Sequence, residues 1–485
     1  MLVCALGLWF GFVFWVTPVW GLEYTKADTP TMHLTNDWVE GGVPGGGDTA
    51  VFDDTLSASN AASLELGTNI TIGVLFFGND MNGPVEISDT SGSGCKLTLA
   101  PSSYNGVGLD MSAANHDVTI NTEIIRGNKA AIMLGGVGRT LTVGQSTSGA
   151  EFRISGNGGS LDVVSGSFDG GGYDSFFVGY SGTAIMNIRN AGTVVGAGDG
   201  TIRVGNTSSG TGTINVYDGK LNSRDTMYVG SGGGTGTVNV LGGEFYHDAS
   251  YGDQIYVGDG SGGVGTITVS GGTMTLGRAG GYSGAKVQFG RNGGAGTLDI
   301  NSGGTVVLNR EFTGGFTLGT AGTGTINFNG GRVQTTWNRT LADTGVEYLV
   351  KAGGANVETT SGVTLTLATA LLQSPVSPGG GLIKSGAGSL VLNGTNTYTG
   401  ATTVSNGVLR LTHPQCLNRR TEVRIVSGAS VDLAFEGENE IRELSVAGVP
   451  QGSGTYNAAT PGMDGYLTGT GALRVGPSGA VLIVR

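Results

Sequence analysis

An elongated all-β chain, wound as a right-handed parallel β-helix, is the fold this sequence predicts, and three observations predict it. The phrase Gly-Thr-Gly-Thr-Ile-Asn-Val at 210–216 returns at 234–240, 263–269, 294–300 and 322–328, with a degenerate copy at 182–188. The first glycines of these copies lie 28, 24, 29, 31 and 28 residues apart, a period that belongs to solenoids rather than to globular enzymes. Each phrase also has an upstream partner, an apolar residue followed by glycine: Val178-Gly179, Val204-Gly205, Val229-Gly230, Val257-Gly258, Phe289-Gly290 and Leu318-Gly319. Paired glycines and β-branched or apolar residues follow, as in Gly271-Gly272-Thr273-Met274 and Gly303-Gly304-Thr305-Val306. One unit therefore reads as three short strands separated by glycine turns, about one coil of a β-solenoid. Helical periodicity is missing, and the right hand follows from the crossover preference of parallel strands.

Alternation assigns the faces of each strand, because successive side chains point to opposite sides. In Thr213-Ile214-Asn215-Val216 the apolar pair shares one side, and it recurs as Val238/Val240, Ile267/Val269, Leu298/Ile300 and Ile326/Phe328. That side faces the interior, and one coil cannot bury it without neighbours. The outer side carries a threonine row that includes Thr213, Thr237 and Thr266. Beside it runs a mostly amide row, Asn187, Asn215, Asn239 and Asn327, interrupted by Thr268 and Asp299. The residue before each apolar-Gly pair also points outward, giving Phe177, Arg203, Tyr228, Tyr256, Gln288 and Thr317. Tyr228 and Tyr256 then stack on successive coils. These rows, with Asn215, Asn239, Thr237, Thr266, Tyr228 and Tyr256 as their candidate contact residues, are either structural ladders or a surface for sugar rings.

Composition narrows the function classes. Glycine supplies 94 of 485 residues against 11 prolines, without the triplet period of collagen. Apolar residues at 38% suffice for a continuous interior, which argues against disorder. Net charge is −12 with only 13% charged residues, and no basic stripe exists to neutralise phosphates, so nucleic acid is not an expected partner. The apolar run from Leu2 to Val16, followed by Pro18, Val19 and Gly21, reads as a secretory signal at 1–21 removed after Gly21. Cys95 and Cys416 are too far apart along the expected stack to form a disulfide.

Along the chain, 22–62 is less repetitive, carries Trp38 and Pro44, and is expected to cap the first coil. Residues 63–163 read as irregular coils, 164–335 as the regular array, 336–380 as further coils and 412–485 as the closing coils.

Residues 381–411 contain Gly-Leu-Ile-Lys-Ser-Gly-Ala-Gly-Ser-Leu-Val-Leu-Asn-Gly-Thr-Asn-Thr-Tyr-Thr-Gly-Ala-Thr-Thr-Val-Ser-Asn-Gly-Val-Leu at 381–409. This stretch resembles the autotransporter-associated β-strand repeat, with its leucine strand, Gly-x-Asn-x-Tyr-x-Gly turn, threonine strand and Gly-x-Leu close. The resemblance implies an exported bacterial surface protein with a pectin-lyase-like, single-stranded parallel β-helix. The units in 164–335 are similar to the glycine-rich repeats of type V secretion passengers. No series of alternating ten-residue barrel strands follows residue 475, and 480–485 is too short for a sorting helix, so the repeat alone does not assign a secretion route.

Chemistry that such helices support elsewhere, polysaccharide cleavage, needs clustered carboxylates. The candidates are Asp53 with Asp54, Asp169 with Asp174, and Glu436, Glu438, Glu440 and Glu443; none recurs at coil spacing, and the glutamate run reads as a solvated edge. His33, His116, His247 and His413 are scattered and read as surface or turn residues. No catalytic, metal or cofactor site is assigned. The expected function is a non-catalytic, monomeric scaffold, adhesive or glycan-contacting, secreted or at the cell surface, in contact with polysaccharide, cell-surface glycans, the outer membrane or extracellular matrix. A polysaccharide lyase or hydrolase is the alternative.

Overall fold

A computed structural model describes residues 21–476 apart from 104–105, 128–129, 146, 150–151, 170–174, 191, 196–200, 248–253 and 278–283. The apolar leader, up to residue 20, lies outside the described residues.

Strands stack in parallel, coil upon coil, as the repeats require. One coil of the regular array runs through Met227–Ser231, Thr235–Val240 and Glu244–His247, here termed the first, middle and third faces. Each pairs in parallel with its counterpart one coil on: Gln254–Asp259, Val264–Val269 and Thr273–Leu276. Register holds residue for residue, with Thr237 opposite Thr266, Val238 opposite Ile267 and Asn239 opposite Thr268. The third face climbs in parallel steps from Ile70–Ile72 to Glu443–Val446, through the coils expected to be irregular as well as through the regular array.

Packing follows the alternation. Val238, Val240, Ile267 and Val269 are 0% exposed, and the same inner positions of every regular coil merge into one continuous core. Each such side chain contributes about 1.5–3 kcal/mol on burial, but only because the next coil covers it. The corner between first and middle faces explains the apolar-Gly pair. Gly230 has φ +73°, and a Cβ there would lie 2.0 Å from the carbonyl oxygen of Val264 in the next coil. Left-handed backbone and close approach both exclude other residues.

At the first coils, Glu23–Thr25 pairs with Thr49–Phe52, which pairs with Val74–Phe77. Trp38 packs edge-on to Phe52, which stacks on Phe77 at 4.9 Å between ring centroids. His247 departs from the surface position expected for it: it is 1% exposed, with Nδ1 3.3 Å from Ser223 Oγ. Alternation along Glu244–His247 turns its fourth residue inward.

Two features change the regular pattern. The first-face strand Gly315–Leu318 pairs with Lys286–Arg291, but in the next coil Arg339–Leu341 opens a separate ladder with Thr364–Leu367. Middle and third faces continue across this break. Further on, the middle face reaches its last described strand at Leu371–Gln373. The next two coils carry two strands each, Ser389–Leu392 with Thr402–Val404, and Val408–Leu411 with Glu422–Ile425.

Candidate binding surface

The outer amide row is a hydrogen-bonded chain. Asn187 Nδ2 donates to Asp162 at 2.6 Å, Asn215 to Asn187 at 2.9 Å and Asn239 to Asn215 at 2.9 Å. Arg189 closes one end on Asp162 at 3.2 Å. Thr268 interrupts the row, which resumes with Asn327 donating to Asp299 at 2.8 Å. Identical amides one coil apart match donor to acceptor, so Asn215 and Asn239 direct much of their polarity at each other. Thr237 and Thr266 sit beside them, half-buried and in register.

The first-face row alternates cations and rings. Arg153, Phe177, Arg203, Tyr228 and Tyr256 are successive register partners. Tyr228 and Tyr256 stack at 4.9 Å with planes 28° apart. Arg203 lies 4.0 Å from the Tyr228 ring and Arg291 lies 4.4 Å from the Tyr256 ring. Arg291 is also 3.7 Å from Asp259. Stacking and cation–π attraction both favour this order, and it places a neighbour against both tyrosine rings, which are half-buried.

The break in the first face, which the sequence reading did not single out, gathers ionisable groups. Arg339 donates to the carbonyl oxygens of Phe312 and Asn309 and, at 3.3 Å, to Thr335 Oγ1; burial lowers its pKa to about 10. Asp343 accepts from Tyr348 Oη and, at 3.1 Å, from the Phe316 amide. Burial pushes its carboxyl up to about 6 against the opposing pull of these two donors, and raises the Tyr348 phenol, with Asp343 adding to the rise. Two adjoining hollows flank the break, about 240 Å³ and 420 Å³ in volume. Its sequence signal is faint: the Gly-Thr-Gly-Thr phrase does not recur after 328, and Trp337 stands alone among the later coils.

The carboxylates weighed for catalysis do not converge in this way. Glu436, Glu438, Glu440 and Glu443 are exposed, with Glu438 3.9 Å from Arg474 and Glu443 3.1 Å from Arg442. Asp53 accepts from the Thr55 amide at 2.9 Å. Asp174 lies outside the described residues.

The 381–411 segment shows what its motif does. Lys384 is 0% exposed, and its Nζ donates to the carbonyl oxygens of Ser385, Gly386 and Asn406 at 2.8, 2.7 and 2.9 Å. Burial lowers its pKa to about 8. Asn396, 2% exposed, accepts from the Leu371 amide at 2.7 Å and donates to the Cys416 carbonyl at 2.7 Å, so one side chain ties the coil before it to the coil after. Asn439 repeats this with Leu417, accepting from its amide at 3.0 Å and donating to its carbonyl at 3.1 Å. The buried Tyr398 hydroxyl meets Thr402 Oγ1 at 2.7 Å. Where the middle strand gives way to a turn, side-chain amides take over backbone groups that the ladder no longer pairs.

Comparison with known proteins agrees with this geometry. Residues 382–411 match the passenger-associated-transport-repeat family. The chain is 28% identical over 463 residues to the adhesin BmaC autotransporter of Brucella suis biovar 1 (strain 1330), covering 90% of this chain and 12% of that protein. No solved structure matches the chain. The chain is thus a parallel β-solenoid that carries a passenger-associated-transport repeat and is similar, over most of its length, to a short part of an autotransporter adhesin.

Proposed function

We propose that this chain is an adhesive segment of an exported, surface-displayed protein, with its leader removed after Gly21, and that it acts as a rigid monomeric scaffold rather than as an enzyme. The observation that carries this reading is the run of in-register outer rows in the regular array of a solenoid similar to an adhesin autotransporter over 90% of its length. A repeated outer surface favours many weak contacts over one tight site, since each added contact becomes intramolecular once the first has formed. Polysaccharide or cell-surface glycan is the proposed partner. The threonine hydroxyls, including Thr237 and Thr266, and the half-buried side chains of Tyr228, Tyr256, Asn215 and Asn239 are the proposed contact groups. A glycan array run beside a polysaccharide-degradation screen on the full chain tests this reading. Specific retention without cleavage is expected; cleavage of any retained polysaccharide refutes the non-catalytic role, and retention of none refutes glycan contact.

A further inference from the structure

We propose that the break in the first face holds a subsite for a carboxylated saccharide unit, with Trp337 stacking on the sugar ring and Arg310 pairing with its carboxylate. The inference rests on the glycan-contacting reading above and places that contact at one position.

The ladder stops at Gly315–Leu318 and resumes as a different ladder at Arg339–Leu341, so one face lacks a continuous backbone and leaves a concave gap. The smaller hollow in that gap, about 240 Å³, is lined by Arg310, Thr313, Trp337, Asn338 and Thr340 among others. A hollow of this size is below that of a drug-sized site and suits a single ring. Trp337 is 48% exposed. The outward tyrosines of the array, Tyr228 and Tyr256, also have an arginine near the ring but are only half-buried side chains in a continuous ladder, less exposed than Trp337. The Arg310 guanidinium lies 4.7 Å from the Trp337 ring centroid and, among the described residues, pairs with no carboxylate. In a chain of net charge −12, an exposed arginine left unpaired beside an exposed indole is a position where a ligand anion meets little competition. Arginine also offers a planar fork that matches a carboxylate.

The adjoining hollow supplies an independent indication. Thr317 Oγ1, in its lining, is buried and has no hydrogen-bond partner. Buried hydroxyls are ordinarily satisfied, and a turn of the Thr317 side chain toward the hollow it lines would let a sugar hydroxyl from a neighbouring unit satisfy this one. An aromatic platform, an unpaired cation and an unsatisfied hydroxyl along one gap together describe an acidic oligosaccharide better than a peptide.

Two probes test the subsite on the full chain: an oligogalacturonate and a sialyllactose, each beside its neutral methyl ester. Binding is followed by calorimetry, and by iodide quenching of the tryptophan fluorescence that Trp337→Phe removes. At least one acid is expected to bind and to protect Trp337 from iodide, and its ester to bind at least tenfold more weakly. Trp337→Ala and Arg310→Gln are each expected to weaken binding tenfold or more while leaving the chain folded, with only a small fall in melting temperature from loss of their mutual contact. Equal binding of acid and ester refutes the carboxylate pairing. Failure of both acids to bind refutes the subsite: if the chain still retains glycans on the array, the broader reading survives, and if it does not, both fall.

Discussion

Replacing Asn396 by alanine tests whether one buried amide holds three coils together. The side chain is 2% exposed, so water does not replace it. Its loss leaves the Leu371 N–H and the Cys416 carbonyl without the partners they have at 2.7 Å. Each buried group so orphaned costs about 1–3 kcal/mol, which places the total between about 2 and 6 kcal/mol. The control is Asn215→Ala in the half-buried outer row, where solvent takes over the lost amide contacts and the cost is about 0.5–1.5 kcal/mol. A solenoid loses stability locally, so a single global melt does not isolate the effect. Native-state hydrogen exchange on peptides spanning 365–375 and 412–420 does. Asn396→Ala should speed exchange in both, one coil before and one coil after the substitution, while Asn215→Ala leaves them unchanged. Equal small costs for the two variants, or an effect confined to the substituted coil, would refute the reasoning.

Three further outcomes follow from the same geometry. Gly230→Ala places a Cβ 2.0 Å from the Val264 carbonyl oxygen at φ +73° and should cost about 2–4 kcal/mol; a urea midpoint within error of the wild type would contradict the corner geometry. Tyr228→Ala removes one ring stack and one cation–π contact and should cost about 1–2.5 kcal/mol, whereas Thr237→Ala on the neighbouring strand costs less than about 0.5 kcal/mol, read from the same urea titrations. The Asp343 carboxyl is raised from 3.8 to about 6 by burial, so the folded state binds the proton more tightly than the unfolded chain. Its contribution to stability is therefore full below pH 3.8 and is lost as pH rises through about 6. The urea midpoint should fall over that window, and Asp343→Asn should flatten the dependence.

Sequence alone determined the coil, the faces and the interior. Period, glycine corners and alternation are local and repeat, so Val238, Ile267 and their equivalents were readable as core before any contact was known, and Tyr228 with Tyr256 as a stacked pair. The 381–411 motif was equally legible as a repeat, because its glycines and leucines sit at fixed spacing. What each motif residue does was not: Asn396 is one polar residue in a turn until the coils before and after it are in place. Tertiary structure decided three things that no local pattern carries. His247 turned inward, because the strand boundary and not the residue type set its phase. Arg203 and Arg291 came to lie against rings contributed by other coils. The first face broke between Leu318 and Arg339, bringing Arg310, Trp337, Asp343 and Tyr348 into one region. The division has one cause: a repeat specifies what every coil shares, while a contact between unlike residues some 27 positions apart in the chain exists only once the winding has set which residues are neighbours.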